Sequence, residues 1–418
     1  MSSVEQSYSL AKDRYQSIGV DTGAALEKLK TIPISLNCWQ GDDVRGFENA
    51  DTELSNGLAV TGAYPGRARG PEELRQDIDK AMSMIPGTKK LALHAMYLES
   101  GDKPVDRDAV RPEHFKNWAA WAKEKGFGLD FNPTFMSHPK SEPFTLASPD
   151  DKIREFWVNH GVASRRVGEY LGKETGKTCV TNIWIPDGFK DTPVDRFGAR
   201  QRLKDSLDRV LAEKIDPVYN LDAVESKLFG IGSESCVIGS HEFYLSYALK
   251  NNVLYTLDTG HFHPTELISD KLSSILTFMD KVYLHVSRSV RWDSDHVVTF
   301  TDELKEIALE IIRNDFTGRV YIGLDFFDGS INRLAAWAIG SRNMAKALLY
   351  ALLEPSAMLK KAELEGDYTT RLAMLEELRS FPFGAVWDYY CLANGAPVGT
   401  EWLDEVRKYE ADVLAKRK

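Results

Sequence analysis

The sequence predicts an α/β protein folded as a TIM-type (β/α)8 barrel, with helical segments at both ends. Eight short runs of β-branched or apolar residues recur along the 418 residues, each followed by a loop and a segment with helical periodicity. Such alternation indicates a parallel sheet with helical crossovers, and eight units close most economically into a barrel. An open doubly wound sheet is the alternative. It is disfavoured because the first strand is not followed by a G-x-G-x-x-G turn.

The predicted strands are rich in Val, Ile, Leu and aromatic residues. They are residues 33–38, 90–95, 127–131, 179–185, 221–224 leading into Glu225, 253–258, 282–286 and 320–325. Predicted helices include residues 72–84, 112–125, 150–171, 197–214, 264–278, 302–314 and 331–353. Several begin with a good start signal, because Pro71, Asp150 and Thr301 bring a proline or a capping side chain to the first turn.

Two terminal segments lie outside this pattern. Residues 1–30 predict one or two amphipathic helices, and residues after 354 predict helices broken at Gly366 and near residues 395–399. We therefore expect a barrel with its N-terminal helical segment over 1–354, and a C-terminal helical extension over 355–418 that packs on the barrel or on a neighbouring subunit.

The connection after the first strand, about residues 40–70, is too long and too rich in Gly, Asn and Asp for a plain βα loop. Loops of this length often cover binding sites, and the apolar residues Phe47, Leu58, Val60 and Tyr64 suit such a cover. A surface excursion without a function is the alternative.

Composition excludes several classes of protein. Lys and Arg number 52 against 62 Asp and Glu, and the net charge of −10 argues against a nucleic-acid partner. The four cysteines lie far apart without a C-x-x-C pair, which indicates reduced core thiols. The N-terminus has no apolar signal region, and no run of 18 apolar residues predicts a membrane span. We expect a cytoplasmic protein.

Polar side chains gather where the predicted strands end, which is where barrel enzymes place their sites. Any one of them could merely cap a helix or satisfy a core hydrogen bond. In chain order they are His94, Glu225 with Lys227, Asp258 with His261 and His263, His285 with Asp293 and Asp295 beyond it, and Asp325.

Taken together, these residues predict a metal site. Five carboxylates at one barrel mouth would repel by about 4 kcal/mol per close pair unless cations intervene. Two divalent ions and Lys227 would balance them. Carboxylate and imidazole ligands without thiolate suit Mn²⁺, Mg²⁺, Co²⁺ or a catalytic Zn²⁺. In extended backbone, Asp293 and Asp295 would face one side, and Glu225 and Lys227 would both face the barrel interior.

At these residues the chain resembles L-rhamnose isomerase of the bacterial kind, in the xylose-isomerase-like superfamily of metal-dependent barrels. The resemblance covers essentially the whole length. The segments that carry it are NCWQGDDVRGFEN (37–49), NIWIPDG (182–188), VESKLFGIG (224–232), LDTGHFHPTE (257–266), LHVSRSVRWDSDHVV (284–298) and GLDFFDGSINR (323–333). Thr259 and Ser289 depart from the expected Ala and Pro, but both lie between the ligand positions.

The resemblance implies a homotetrameric aldose–ketose isomerase that interconverts L-rhamnose and L-rhamnulose with two divalent ions, usually Mn²⁺. It implies one metal site at Glu225, Asp258, His285 and Asp325, and another at His261, Asp293 and Asp295. The predicted catalytic residues are Lys227, His94, Asp293 and Asp325, and the resemblance implies that Lys227 polarises the carbonyl and that His94 assists ring opening. The predicted substrate-binding residues are Trp184, His94, Lys227 and His261.

Three other functions compete with this one. An isomerase of another aldose would use the same groups. A phosphodiesterase or endonuclease on a similar barrel would need a basic groove, which the charge disfavours. A metal-stabilised sugar-binding protein would not need two ions with a central lysine. For the isomerase itself, a metal-assisted 1,2-hydride shift is favoured over proton transfer through a base, because nearly all candidate bases are assigned as ligands.

Overall fold

A computed structural model describes residues 2–48, 62–101, 103–228 and 235–417. Eight parallel strands close into a barrel in which each strand pairs with its neighbours in sequence and the last pairs with the first. They are β1 (Ile34–Asn37), β2 (Lys89–His94), β3 (Gly128–Asn132), β4 (Cys179–Ile183), β5 (Asn220–Glu225), β6 (Leu254–Asp258), β7 (Val282–Val286) and β8 (Val320–Leu324). The predicted TIM-type barrel and all eight predicted strands are confirmed.

The strands are buried on both sides, as expected where helices cover a parallel sheet. Every residue of β3, β4, β6 and β7 is buried. The strand register aligns the polar residues at the carboxyl ends of neighbouring strands, because His94 pairs with Asn132 and Asp258 pairs with His285. The barrel thus delivers strand-end side chains to one mouth.

Fourteen α-helices occur in the described residues. They are α1 (Ser3–Gln16), α2 (Thr22–Lys30), α3 (Pro71–Ser83), α4 (Lys116–Lys125), α5 (Asp151–Thr175), α6 (Arg196–Val210), α7 (His241–Asn251), α8 (Ile268–Leu276), α9 (Asp302–Arg313), α10 (Arg333–Leu352), α11 (Ser356–Leu364), α12 (Tyr368–Leu378), α13 (Phe383–Ala393) and α14 (Glu401–Asp412). Helices α3 to α9 lie in the seven connections between consecutive barrel strands, and α10 follows the last strand. The start signals act as expected, since Asp150 accepts from the Lys152 amide and Thr301 from the Leu304 amide.

The two ends of the chain pack together on the barrel. Tyr8 of α1 stacks on Tyr389 of α13 with ring centroids 3.8 Å apart. Near the C-terminus, Arg417 donates to Asp77 of α3 at 2.6 Å. The helices after residue 354 thus contact the barrel, and their division into a separate extension stays a prediction.

Two features were not predicted. Helix α7 lies between β5 and β6, where the repeating pattern implied a helix but no range was predicted, and a short antiparallel ribbon pairs Gly188–Phe189 with Cys236–Val237. Helix α8 also begins at Ile268 rather than at residue 264. Ribbon strands of two residues are too short for a periodic pattern to reveal them.

The connection after β1 is only partly described. Phe47 packs edge-on against Tyr97 at 5.3 Å, and the Tyr64 hydroxyl donates to Glu410 at 2.8 Å. Both residues therefore lie against the body of the protein. Leu58 and Val60, the other expected members of a cover, fall outside the described residues.

The four cysteines are free and buried, as expected for core thiols. Over the ranges given above, none of the helices combines the length and the apolar character that crossing a bilayer requires.

Candidate active site

A cleft opens at the carboxyl ends of the barrel strands. Its titratable side chains come from the strand ends and the loops that follow them. Strands β2, β5 and β7 supply His94, Glu225 and His285, and the residues beyond β5, β6, β7 and β8 supply the other titratable groups. The lining residues are Trp39, His94, Asn132, Thr134, Phe135, Met136, Asn182, Trp184, Glu225, Lys227, His261, His285, Asp293, Asp295 and Asp325.

One cluster unites the ends of four strands. Glu225, Asp258, His285 and Asp325 each offer a ligand atom, and these atoms all lie within 4.8 Å of one another. His285 Nδ1 is 3.2 Å from Glu225 Oε2 and 3.2 Å from Asp325 Oδ2. These are the four residues that the family resemblance implies for one metal site, and three carboxylates with one imidazole suit a divalent cation.

A second cluster consists of Asp258, His261 and Asp293, so Asp258 belongs to both. His261 Nδ1 lies 2.8 Å from the Ser226 carbonyl oxygen. Because a carbonyl only accepts, Nδ1 carries the proton, and Nε2 remains toward Asp293 Oδ2 at 3.3 Å. The sharing of Asp258 had no signal in the sequence.

Asp295 lines the cleft but belongs to neither cluster. Its φ is +43°, so the segment from Asp293 is not extended, as the alternation argument had assumed. Burial and the Asp293 carboxylate hold the pKa of Asp295 well above its usual range. His263, which follows the sixth strand in sequence, is exposed and bonds to Thr265.

The buried polar atoms of the clusters fit a cation. Asp258 Oδ2, His285 Nδ1 and Asp293 Oδ1 are buried without a hydrogen-bond partner among the described residues. Burial raises the pKa of Asp258 to about 7. Burial opposes the charged form of His261, yet Asp258 and Asp293 outweigh it and raise the His261 pKa to about 9. The carboxylates therefore stabilise a positive charge at this buried site, as the ligands of a metal ion do.

Lys227 is the cation beside these carboxylates. Its Nζ is 2.9 Å from Asp293 Oδ2 and lies 5.1 Å from the centre of the Trp184 ring. Burial opposes its charge, but Asp293, Asp295 and Asp258 raise its pKa, so the ammonium is retained. Glu225 and Lys227 both face the cleft, while Ser226 between them turns to the Tyr255 hydroxyl at 2.8 Å.

His94 lies across the cleft in a different environment. Its ring stacks on Trp39 with centroids 4.7 Å apart, and Nδ1 is 3.3 Å from Thr134 Oγ1. Burial lowers the pKa of His94 to about 3. The ring is therefore neutral and can accept or donate one proton.

The match to known sequences agrees with this geometry. The family model of L-rhamnose isomerase (RhaA) matches residues 2–417. The chain belongs to the L-rhamnose isomerase family. Proteins named L-rhamnose isomerase are 59% identical to it in Mannheimia succiniciproducens, over all of both chains. Those from Listeria monocytogenes and Escherichia coli are 58% and 57% identical, over 99% of both chains.

In this member of the L-rhamnose isomerase family, the cleft also contains residues that sequence reasoning missed. Asn182 donates to Glu225 Oε2 at 2.5 Å, and Thr134 contacts His94. Asn132 is the last residue of β3 and Trp39 follows β1 closely. The strand-end rule that found the acids would have found Asn132, but uncharged side chains were not considered.

Proposed function

We propose that this protein interconverts L-rhamnose and L-rhamnulose as a metal-dependent aldose–ketose isomerase, in the first step of L-rhamnose catabolism. The observation that carries the proposal is the cluster of Glu225, Asp258, His285 and Asp325 beside Lys227 at the barrel mouth. The relatives named L-rhamnose isomerase, which match over nearly the whole chain, support the choice of sugar.

We propose two divalent ions per subunit, Mn²⁺ in the first instance, with Zn²⁺, Co²⁺ or Mg²⁺ as alternatives. The first would be held by Glu225, Asp258, His285 and Asp325. The second would be held by His261, Asp293 and Asp295, with Asp258 near enough to contribute. When bound, such ions supply positive charge next to the carbonyl and hydroxyl oxygens of the sugar. The unpartnered carboxylate oxygens of Asp258 and Asp293 support this assignment.

The remaining roles follow from charge and position. Lys227, an ammonium in a buried cleft, donates a hydrogen bond to the carbonyl oxygen as negative charge develops there. Trp184 forms an apolar wall beside that ammonium, and His261 lies within reach of a bound hydroxyl. His94, a neutral imidazole, assists ring opening. Asp293 and Asp325 act in catalysis by orienting Lys227 and His285, which they contact.

We propose that hydrogen then passes directly from C2 to C1 as hydride. A route through a base needs a free carboxylate or imidazole over C2. Every acid and histidine lining the described cleft, apart from His94, belongs to a proposed ligand set. L-rhamnose deuterated at C2 and converted in ordinary water should keep its label at C1 of the ketose, as measured by mass spectrometry. Loss of most of the label to solvent would assign the step to a base, with water beside Asp293 and Asp295 as the first candidate.

We propose a cytoplasmic homotetramer that binds a sugar and neither nucleic acid nor membrane. Large apolar side chains exposed on α11 and α12, namely Leu364, Tyr368 and Leu372, support association between subunits. Native mass spectrometry should show four chains per particle. A monomer would refute the proposed assembly.

Ketose formation tests the activity. Purified protein supplied with Mn²⁺ should convert L-rhamnose faster, in kcat/KM, than other aldoses. A faster reaction with another aldose would keep the isomerase and change the substrate. Absence of ketose from every aldose, together with metal-dependent cleavage of DNA, would favour the phosphodiesterase alternative.

A further inference from the structure

The hydroxyl of Thr134 lies between His94 and two backbone groups. Thr134 Oγ1 is 3.3 Å from His94 Nδ1, and it accepts a hydrogen bond from the Ala95 amide at 3.1 Å. It donates to the Asn132 carbonyl at 3.3 Å. Thr134 and His94 are both buried in the wall of the cleft, with 5% and 6% of their surfaces exposed.

The backbone holds this hydroxyl in place at some cost. Thr134 has a φ of +64°, a left-handed conformation that is unfavourable for a β-branched residue. Its carbonyl accepts from Arg107 Nη1, and the carbonyl of Pro133 contacts His160 Nε2. Arg107 is almost wholly buried and also pairs with Glu48 at 2.5 Å. The surrounding side chains therefore impose an unfavourable conformation that puts Oγ1 beside His94.

The hydrogen bonds around Oγ1 decide which nitrogen of His94 carries the proton. A hydroxyl has one hydrogen and two lone pairs. The Asn132 carbonyl can only accept, so it takes the hydrogen, and the Ala95 amide can only donate, so it takes one lone pair. The second lone pair is left for Nδ1, which must then be the donor.

We propose that Thr134 is a positioning residue that holds His94 as the tautomer protonated on Nδ1, with Nε2 unprotonated for the bound sugar. The proposal rests on the proposed isomerase function for its chemical consequence, but not for the tautomer itself. Nothing in the sequence indicated a role for Thr134.

The tautomer matters for opening the sugar ring. Nε2 with a free lone pair can take the proton from the anomeric hydroxyl at C1. As the C1 carbonyl forms, the bond between C1 and the ring oxygen breaks, and the imidazolium returns the same proton to that oxygen. Histidine is regenerated and one proton has moved between two substrate oxygens. The opposite tautomer, with a hydrogen on Nε2, cannot accept the first proton.

The test compares two variants. Thr134→Val keeps the shape and the branched β-carbon but removes the hydroxyl, whereas Thr134→Ser keeps the hydroxyl and is the matched control. Each full-length protein is labelled with ¹⁵N-histidine, loaded with diamagnetic Mg²⁺ and measured by solid-state NMR. The chain has nine histidines, and the His94→Gln variant assigns the signal of interest by its loss.

Wild-type protein and Thr134→Ser should show His94 protonated on Nδ1, and Thr134→Val should lose that state. On L-rhamnose with Mn²⁺, turnover of Thr134→Val should fall by about tenfold or more with KM changed far less, and Thr134→Ser should retain most of the wild-type turnover. If Thr134 only stabilised the fold, Thr134→Val would lower the melting temperature without shifting the ¹⁵N signals of His94.

Two results would overturn the proposal. One is a wild-type His94 that carries its proton on Nε2. The other is an unchanged tautomer in Thr134→Val. If wild-type protein made no ketose from L-rhamnose while the ¹⁵N signals changed as expected, the tautomer assignment would stand and the proposed function would fall.

Discussion

Lys227 is an ammonium buried among carboxylates, with Nζ 2.9 Å from Asp293 Oδ2. Lys227→Met keeps much of the side-chain volume and removes the charge. If Lys227 stabilises the developing oxyanion, kcat should fall by about 10² to 10³ in steady-state assays, because one preorganised donor has been lost. KM should change little, since charge develops on that oxygen chiefly in the transition state.

The control for this variant is Lys204→Met. Lys204 lies on α6, pairs with Asp208 and is 43% exposed, so its loss should leave both kinetic constants near their wild-type values. A rise in KM alone for Lys227→Met would restrict Lys227 to ground-state binding.

Asn182 tests whether hydrogen bonds behind the ligands determine ion affinity. Thr256 Oγ1 donates to Asn182 Oδ1 at 2.7 Å, which turns the amide so that Nδ2 donates to Glu225 Oε2 at 2.5 Å. Asn182→Leu removes this donor at similar volume. We expect affinity for Mn²⁺, measured by titration calorimetry without substrate, to weaken by about 10 to 100-fold.

Asn343 of α10 offers a matched control, because it lies outside the cleft and its side-chain amide donates to the Val298 carbonyl. Asn343→Leu should bind Mn²⁺ like the wild type. Equal Mn²⁺ affinities for Asn182→Leu and wild type would mean that the hydrogen bond from Asn182 to Glu225 does not contribute to ion binding.

For individual residues, the sequence predicts the charged ligands better than the neighbouring side chains that hydrogen-bond to site residues. Glu225, Asp258 and His285 were found because acids and histidines are rare at buried strand ends. The sharing of Asp258 and the roles of Asn182 and Thr134 depend on side-chain direction and on which atoms satisfy one another. A single sequence does not carry that information.

Among the elements, strands were predicted more reliably than helix ends. Most barrel strands are rich in apolar residues, as in VYLHV of β7 and VYIGL of β8, because helices cover the parallel sheet. Helix α7 was missed because its sequence, HEFYLSYALKN, contains several aromatic residues of high β-propensity, and tertiary packing overrides that preference. A propensity argument cannot see such packing.

Arg333, the first residue of α10, fixes the connection after β1. Its guanidinium donates to both Asp43 oxygens, at 2.8 and 2.9 Å, and to the carbonyls of Tyr64 and Pro65. It thus clamps both described ends of that connection, where Asp43 and Val44 adopt left-handed conformations, with φ of +62° and +60°.

We expect Arg333→Met to lower the free energy of unfolding by about 3 kcal/mol, because Asp43 would lose its partner in a buried environment. Urea denaturation followed by circular dichroism would measure it. Arg407→Met removes an exposed pair with Asp404 and should change stability by less than about 0.5 kcal/mol. Similar losses from both variants would show that burial does not strengthen the Asp43 pair.

For the whole molecule, the barrel and its terminal helices form a scaffold around one crowded, acidic mouth. The net charge of −10 includes both exposed and buried carboxylates. The buried carboxylates at the mouth affect stability most, because water does not screen the repulsion between them. Stability should depend on whatever cation those carboxylates hold.

Removal of divalent ions by a chelator should therefore lower the melting temperature. An ion that binds only the folded chain stabilises it by RT ln(1 + [M]/Kd), or about 1.4 kcal/mol for each tenfold excess over Kd. Returning Mn²⁺ should raise the melting temperature with the logarithm of its concentration, as followed by scanning calorimetry. Glu225→Gln, which removes one charge from the first cluster, should need more Mn²⁺ for the same rise. If rigorously metal-free protein melts at the same temperature before and after Mn²⁺ is added, the folded protein does not need an ion to stabilise these carboxylates. That result would refute the metal proposal.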